Sequence, residues 1–432
     1  MILAGEWLLP VSRPPIRHGA VRVAGPRIVA IGTLDDLKRS YPADAVHVQP
    51  GCVIAPGLVN AHTHLSLTSL RGLFPPGEFP GWIARLAPVI TALDEDDYAD
   101  AVSFGALECL RSGVTVVGDI AFGPEAPAAA ADAGVGGVFF WEVLGGDVDT
   151  LAQRLDGHDF PTDAGSCDGR TLCGLSPHSP YTSGPGLMKA VYQHARRYGY
   201  AHAIHIAEST AEIRLLAAGE GALRQTAERL AVGFTPPGTG GIRYLEHLGV
   251  LKDSVAIHCV QLMPGEAELL AAHAAGVVLC PRSNRYLLNG RPPVTALREA
   301  GARMAVGTDS LASNESLDLF AETRELLGAD PGMTAKRALA IMTLEGAQVL
   351  GAARDYGSLE VGKYADVISV AVEATADPVE TLVREGTPSR VRSVISAGVW
   401  RVIDGKPAFL TAELERKNAR VAEKAARALN RT

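Results

Sequence analysis

Short apolar runs recur along the chain from about residue 53 to residue 310, and they constrain the fold more than any other feature. They are separated by longer segments in which Ala, Leu, Glu and Arg recur at helical spacing. The eight runs cover residues 53–60, 114–117, 137–141, 171–175, 201–206, 255–257, 277–279 and 303–306. Near-continuous apolar strands that alternate with helices are typical of a parallel sheet covered on both faces. Eight of them predict an α/β fold built on a (β/α)8 TIM barrel.

A doubly wound open sheet is the structural alternative for such a pattern. Its nucleotide-binding versions carry a glycine-rich phosphate loop after the first strand. No such loop follows residues 53–60. The pattern therefore favours the barrel.

The two ends of the chain carry a different pattern. Before residue 55 and after residue 358, short alternating strands are separated by turns such as Gly25-Pro26 and Asp404-Gly405. We predict a small β-sandwich domain built from residues 1–55 and 358–410, beside a barrel of residues 56–357. Helices are predicted at residues 34–40, at 334–352 with Thr334 as N-cap, and in the charged C-terminal segment 411–432.

The composition of the chain indicates which kinds of partner and which cellular compartment to expect. The 432 residues carry a net charge of −8 with no basic block, which argues against a nucleic-acid partner. The chain start lacks the pattern of a signal peptide, and no apolar stretch is long enough to span a bilayer. The six cysteines form no C-x-x-C pair, as expected of free thiols in a reducing compartment: positions 52, 109, 167, 173, 259 and 280. We expect a cytoplasmic protein without a membrane partner; large barrels of this kind often pair as homodimers.

Polar residues follow the apolar runs at the predicted strand ends. The carboxyl ends of barrel strands meet at one face, which is where TIM-barrel active sites lie. The residues at these ends are His62, His64, Asp119, Glu142, His178, His205, His258, Arg282 and Asp309. His62 and His64 are two residues apart, so both point to the same face of one strand. Two imidazoles at one strand end can bind a single cation.

Three further strand ends carry groups suited to metal or proton chemistry. Glu208, three residues after His205, is placed to move a proton beside a metal-activated water. His258 could orient that water or bind the metal, and Asp309 could ligate the metal and accept a second proton. Each has an ordinary structural explanation when taken singly, such as a core histidine or, for Asp309, a helix N-cap. Their recurrence at separate strand ends favours one shared site.

The order H-x-H, H-x-x-E, His and Thr-Asp resembles the amidohydrolase superfamily over nearly the whole chain. Residues 176–182 and 307–314 resemble its metal-dependent deaminase branch. The resemblance implies that Glu208 shuttles the proton, that His258 polarises the water and that His178 contacts a heterocycle. It also implies one divalent ion held by His62, His64, His205 and Asp309. Zinc is the first expectation, and iron and manganese accept the same ligands.

The number of metal ions follows from the fourth strand. Superfamily members with two metals usually bridge them through a carboxylated lysine there. Residues 171–176 contain no lysine, so a single ion is expected.

Two differences from one group of deaminases, and one similarity to another group, indicate the expected substrate. Deaminases of S-adenosylhomocysteine and methylthioadenosine carry a ribose-binding glutamate after the tryptophan of the first long loop, where this chain has a position near Thr91. Their arginines after the third strand are also missing from residues 139–144. Residues 279–289 are instead similar to deaminases of 6-amino-6-deoxyfutalosine, a nucleoside of menaquinone biosynthesis.

That similarity implies roles for four residues. Arg282 or Arg285 would meet the benzoate carboxylate of the substrate, because guanidinium pairs with carboxylate bidentately. Phe79 and Trp82 are expected in the loop after the first strand, where they would pack against the aromatic end of the substrate. The predicted partner is a small nucleoside.

Three other functions stay open from the sequence. One is a deaminase of adenosine, S-adenosylhomocysteine or another heterocycle. A second is a cyclic-amide or imidazolone hydrolase, because attack on an amide needs the same catalytic groups. A third is a metal-binding barrel without catalysis.

Overall fold

The computed structural model describes residues 1–146, 148–155, 169–230, 234–373 and 376–431. Cys167 lies outside the described residues, and the other five cysteines are buried and form no disulfide with one another. The strands are β1 (Ile2–Leu8), β2 (Ile16–Arg17), β3 (Gly19–Ala24), β4 (Arg27–Thr33), β5 (Val46–Pro56), β6 (Leu58–Thr63), β7 (Val114–Ala121), β8 (Gly136–Val143), β9 (Thr171–Pro177), β10 (Ala201–Ile206), β11 (Ser254–His258), β12 (Gly276–Leu279), β13 (Met304–Val306), β14 (Val367–Ala371), β15 (Val391–Ser396), β16 (Val399–Ile403) and β17 (Lys406–Pro407).

The helices are α1 (Leu34–Ser40), α2 (Phe79–Thr91), α3 (Glu95–Arg111), α4 (Ala126–Ala133), α5 (Val148–Leu155), α6 (Pro185–Tyr198), α7 (Thr210–Ala218), α8 (Arg224–Leu230), α9 (Gly241–Leu248), α10 (Glu266–His273), α11 (Pro281–Tyr286), α12 (Val294–Glu299), α13 (Leu319–Ala329), α14 (Ala335–Ile341), α15 (Leu344–Val349), α16 (Pro378–Glu385) and α17 (Ala412–Leu429). Short 3-10 turns cover Leu65–Leu70 and Pro388–Arg390. Over the described residues, no helix is long and apolar enough to cross a membrane.

Strands β6 to β13 form the predicted parallel barrel. They pair in chain order, each with the next. An isolated parallel bridge between Thr63 and Asp309 links the first strand to the end of the last. The Asn60 side chain strengthens this seam, because it donates to the Thr308 hydroxyl at 2.8 Å and accepts from the Thr308 backbone N–H at 3.0 Å. The predicted (β/α)8 barrel is confirmed.

The chain ends form a separate sheet beside the barrel. Its nine strands are β1 to β5 and β14 to β17, with β5 between β1 and β14. The predicted small β-domain from both chain ends is therefore confirmed, and its strands belong to one mixed sheet rather than two. The exact limits of the two units stay a prediction.

The apolar run 53–60 is divided between the two sheets. Up to Pro56 it belongs to β5, which pairs antiparallel with β14, and from Leu58 it belongs to the barrel strand β6. The chain passes from one sheet to the other at Gly57. Glycine is needed there, because the Cβ atom of any other residue would lie 2.0 Å from the Thr115 hydroxyl oxygen. One continuous apolar run therefore supplies a strand to each sheet.

The segment predicted as one helix over residues 334–352 contains two helices, α14 and α15. Thr334 is the N-cap, and its hydroxyl accepts from the Arg337 backbone N–H. The break lies at Thr343, whose φ of −140° and ψ of −100° are not helical. Buried Glu345 then accepts from the backbone N–H of Met304 at 2.8 Å and so ties α15 to the last barrel strand.

The C-terminal helix α17 packs against α2 and α3. Its buried residues Val421 and Ala425 join the apolar cluster that contains Trp82. Asp97, at the start of α3, is fully buried and forms ion pairs with Lys424 and Arg420 of α17. A buried carboxylate needs such partners because its desolvation is otherwise uncompensated.

Lys424→Ala is expected to lower the free energy of unfolding by about 1–3 kcal/mol, because it leaves the buried Asp97 carboxylate with one partner fewer. Denaturant unfolding of both proteins measures the difference. Arg427→Ala is the matched control on the same helix. Among the described residues, Arg427 pairs with exposed Glu423 alone, so its loss is expected to cost less than about 0.5 kcal/mol. Equal effects of the two substitutions would contradict the importance of the buried pair.

Candidate active site and metal centre

Five predicted residues meet at the carboxyl end of the barrel. The side-chain ligand atoms of His62, His64 and Asp309 lie within 4.8 Å of one another, and so do those of His62, His205 and His258. Asp309 Oδ1 is 3.4 Å from His62 Nε2 and 3.5 Å from His64 Nε2. All five are buried. Strand ends separated by almost 250 residues thus form one polar cluster.

Asp309 is oriented by two serines. Its Oδ2 accepts hydrogen bonds from the Ser283 hydroxyl at 2.5 Å and the Ser313 hydroxyl at 2.8 Å, which leaves Oδ1 towards the histidines. Burial by itself would raise the pKa of the Asp309 carboxyl. The nearby imidazoles of His62, His258 and His64 outweigh burial and hold that pKa well below its usual range. The carboxylate is therefore ionised, as a metal ligand must be.

Two histidines have their tautomers set by outer hydrogen bonds. His205 Nδ1 donates to the carbonyl of His178 at 2.9 Å, and His258 Nδ1 donates to Asn284 Oδ1 at 3.1 Å. Each ring therefore keeps Nε2 free of its proton. Such outer partners orient the histidines of metal sites.

The remaining ring nitrogens are the clearest sign that the cluster suits an ion. Both nitrogens of His62, and Nδ1 of His64, are buried without a hydrogen-bond partner among the described residues. Burial and the neighbouring imidazoles lower the pKa of His64 to about 3, and burial lowers that of His258 to about 4. Buried imidazole nitrogens without a hydrogen-bond partner are costly unless they bind something, and imidazole is a common metal ligand. The donor set fits one divalent cation.

Glu208 lies beside this cluster. Its Oε1 accepts from the Asn289 side-chain amide at 3.0 Å and is 3.8 Å from His258 Nε2. Glu212 holds the loop in place, because its carboxylate accepts the backbone N–H groups of Ala207 and Glu208 at 2.8 Å each. Burial, with the nearby Asp309, raises the pKa of Glu208 well above its usual value. A carboxyl group of that kind is suited to carry a proton.

Backbone strain is concentrated around the cluster. Ala207, His258, Cys259 and Asp309 all have positive φ, of 52°, 74°, 48° and 59°. Residues with side chains avoid this region, and positions that adopt it often belong to functional sites. The four positions lie at or just after the ends of strands β10, β11 and β13.

A cavity of about 440 Å³ opens above the cluster. Its walls come from helices α2 and α8 and from the loops after β7, β8 and β9, and its floor includes five of the predicted site residues. The floor residues are His64, His205, Glu208, His258 and Asp309. The apolar wall consists of Leu67, Phe79, Trp82, Ile83, Leu86, Ile90, Phe122 and Leu144. The volume suits a nucleoside-sized ligand.

His178 and Glu142 line the cavity next to the floor. His178 Nδ1 is 2.6 Å from the Thr182 hydroxyl, and burial lowers its pKa to about 4. A carboxylate oxygen of Glu142 and one ring nitrogen each of His178 and His205 lie within 4.8 Å of one another. A neutral imidazole beside a carboxylate can hydrogen-bond a heterocycle.

Of the four residues predicted to contact the far end of the substrate, two line the cavity and two do not. Phe79 and Trp82 do line the cavity, from helix α2 rather than a loop, and the Trp82 indole donates to the carbonyl of Ala312 at 2.9 Å. Arg282 and Arg285 are not among the described residues that line it. Helix α11 directs both towards carboxylates elsewhere, Arg282 to Glu315 and Glu322 and Arg285 to Glu325.

Several residues with a clear place in the site had no predicted role. Asn284 and Asn289 orient His258 and Glu208, and Ser283 and Ser313 orient Asp309. All four lie within stretches that the sequence had singled out. Their roles depend on hydrogen bonds across loops, for which spacing gives no signal. Glu212, four residues after Glu208, had no such signal either.

Asp119 lies within strand β7, two residues before its end, and does not join the metal cluster. Its Oδ1 accepts from the backbone N–H of Leu65 at 2.7 Å and so anchors the turn that follows His64. Burial raises the pKa of Asp119 from 3.8 to about 7. The folded protein therefore keeps this proton up to about pH 7, while the unfolded chain loses it near pH 4.

Asp119→Asn is expected to flatten the pH dependence of stability between about pH 4 and pH 7. In that window the folded wild-type protein binds more protons at this position, so its free energy of unfolding falls as pH rises, by at most about 1.4 kcal/mol per pH unit. Asparagine keeps the acceptor for Leu65 but cannot titrate. Unfolding curves of both proteins at several pH values measure the slopes. Parallel slopes would contradict the raised pKa.

Known proteins were compared with this chain. The amidohydrolase family profile matches residues 53–401, and a bacterial imidazolonepropionase-like composite domain matches residues 19–43. The 5-methylthioadenosine/S-adenosylhomocysteine deaminase of Moorella thermoacetica is 33% identical over 84% of this chain and 83% of its own. The enzyme of that name from Pelotomaculum thermopropionicum is 31% identical over 100% and 99%.

Solved structures share the architecture. An adenosine deaminase from Xanthomonas campestris with bound zinc superposes with a TM-score of 0.83, at 26% identity, over 99% of this chain and 98% of its own. The Helicobacter pylori aminofutalosine deaminase superposes with a TM-score of 0.78 over 92% and 99%, at 23% identity. The chain belongs to the amidohydrolase family and is a hydrolase that acts on carbon–nitrogen bonds.

Proposed function

We propose that this protein is a metal-dependent hydrolytic deaminase of adenine-type nucleosides. One observation carries the proposal: neutral imidazoles and an ionised carboxylate converge beside a buried carboxyl group with a raised pKa, at the floor of a nucleoside-sized cavity. Relatives that cover nearly the whole chain are named as deaminases of such nucleosides. The proposed ligands of one divalent ion are His62, His64, His205 and Asp309.

A single ion is proposed because the ligand set is complete without a bridging lysine, and no lysine lines the cavity among the described residues. When bound, the ion supplies Lewis acidity, which allows a water molecule to ionise near neutral pH. Zinc is favoured because the Xanthomonas campestris relative contains it. Iron and manganese fit the same donors.

The chain's own residues divide the remaining work. Glu208, with its raised pKa, accepts a proton from the attacking water and delivers it to the ring nitrogen. His258 holds the water through the Nε2 that its bond to Asn284 leaves free. Asp309 takes the second proton from the hydroxyl group now on the ring carbon and passes it to the amino group, which leaves as ammonia. His178 contacts the heterocycle from the cavity wall.

Within this class we assign a nucleoside with an extended substituent at its 5′ carbon. The apolar wall of Phe79, Trp82 and Ile83 continues beyond the floor and offers a surface for such an arm. The substrates to compare are 6-amino-6-deoxyfutalosine, which would place the protein in menaquinone biosynthesis, 5′-methylthioadenosine and S-adenosylhomocysteine.

Ammonia release over a panel of compounds tests the function. The panel is adenosine, the three 5′-substituted nucleosides, a free pyrimidine base and a cyclic amide such as an imidazolone. Ammonia from the nucleosides, with a kcat/KM at least tenfold above that for a free pyrimidine base, is the expected result. Ring opening of the cyclic amide without ammonia from any nucleoside would favour the amide hydrolase instead.

A further inference from the structure

One cationic side chain lines the cavity in the described part of the chain, and it belongs to helix α8. Gln225, Thr226 and Arg229 all line the cavity. Gln225 and Thr226 precede Arg229 by four and three residues, so each lies next to Arg229 on the surface of the helix. Ala227 in this helix, and Leu223 just before it, are fully buried and pack into the apolar cluster that contains Trp82. That packing holds α8 beside the cavity wall to which Trp82 belongs.

Arg229 differs from the other arginines near the barrel mouth. Arg224 pairs with Glu228, and Arg282 and Arg285 pair with carboxylates of other segments. Arg229 is exposed and has no hydrogen bond or ion pair with any residue that the structure describes. A guanidinium that lines a cavity with no internal partner is available to a ligand.

The distribution of charge in the cavity indicates where an anion would bind. Carboxylates occupy the floor side, at Glu142, Glu208 and Asp309, and would repel an anionic group there. The wall between floor and α8 is mostly apolar. A single guanidinium matches the single charge of a carboxylate and pairs with it bidentately. A phosphate dianion would require further donors of positive charge.

We propose that Arg229 binds a carboxylate at the far end of the substrate's 5′ substituent, and so makes the enzyme selective for adenine nucleosides with an anionic arm. The inference rests on the proposed function. It adds recognition of the carboxylate on the 5′ substituent, which the residues of the cavity floor do not contact. It also moves carboxylate recognition from Arg282 and Arg285 to a different element. Gln225 and Thr226 border the same position and can donate to the remaining carboxylate lone pairs.

The test uses two nucleosides that differ only in charge: 5′-deoxy-5′-(carboxypropylthio)adenosine and its primary amide. The wild-type enzyme is expected to deaminate the acid with a kcat/KM roughly 10- to 100-fold above that for the amide, the range of a charge-assisted pair. Arg229→Gln is expected to reduce this ratio to near one, mainly through KM. Arg229→Lys is expected to keep part of the preference for the acid, because lysine keeps the positive charge but cannot pair with the carboxylate through two parallel hydrogen bonds. Added salt should lower the wild-type ratio.

Arg214→Gln is the matched control. Arg214 is exposed on neighbouring helix α7 and is not among the described residues that line the cavity, so the same change in net charge there should leave the ratio unchanged. Circular dichroism and metal content establish that each variant is folded. A wild-type ratio near one, or an unchanged ratio in Arg229→Gln, would overturn the inference while leaving the proposed function intact. Failure of wild-type enzyme to release ammonia from any adenine nucleoside would overturn both.

Discussion

Glu208→Gln is expected to lower kcat by about 10²- to 10⁴-fold, the usual contribution of a positioned acid–base group. Glutamine preserves the shape and can still accept the hydrogen bond from Asn289, but it cannot take up and release a proton. The metal content should be unchanged, since Glu208 is outside the proposed ligand set. Steady-state kinetics and elemental analysis of the purified variant measure the two quantities.

Glu220→Gln provides the control for this substitution. Glu220 is exposed and is not among the described residues that line the cavity, so the same chemical change should leave kcat within about twofold. Full activity of Glu208→Gln would instead favour a metal-binding barrel in which this carboxyl group has no chemical role.

Asp309→Asn is expected to have the largest effect on metal binding. The substitution removes the one anionic donor of the proposed set, which would leave three neutral imidazoles. Loss of partners that merely orient ligands already costs 10- to 100-fold in affinity, so loss of the ligand itself should cost more than about 100-fold. Equilibrium dialysis against a competing chelator measures the affinity.

Ser313→Ala gives a graded comparison for the same site. It removes one of the two hydroxyls that hold Asp309 Oδ2, and Ser283 keeps the other bond. We expect a loss of about 10-fold, at the low end of the range for an outer partner. Chelation should abolish wild-type activity, and the ion that restores it identifies the native metal. Unchanged affinity in Asp309→Asn would contradict the proposed ligand set.

The fold could be predicted from the sequence because apolar runs and helical segments alternate eight times. The polar cluster followed from the same pattern. In a parallel barrel all strand ends meet at one face, so His62, His205 and Asp309 had to lie near one another once the strands were identified. The two-residue spacing of His62 and His64 put both imidazoles on one side of β6.

The outer hydrogen bonds of the site were beyond such reasoning. Asn284 and Asn289 lie five residues apart, yet one orients His258 and the other Glu208. These contacts depend on how the short helix α11 and the loop after it are placed over the barrel, and the spacing of residues does not determine that placement. Glu212 reaches back to the backbone of Glu208 for the same kind of reason.

The sequence by itself determined the architecture and the residues that meet at its floor, because hydrophobic periodicity specifies strands and barrel closure then specifies where their ends lie. Only the tertiary structure decided which arginine lines the cavity. The burial of Leu223 and Ala227 holds α8 beside the cavity, which Arg229 lines, whereas α11 directs Arg282 and Arg285 to carboxylates outside it. The direction of a charged side chain depends on which face of its helix is buried, and that is settled by packing between distant segments.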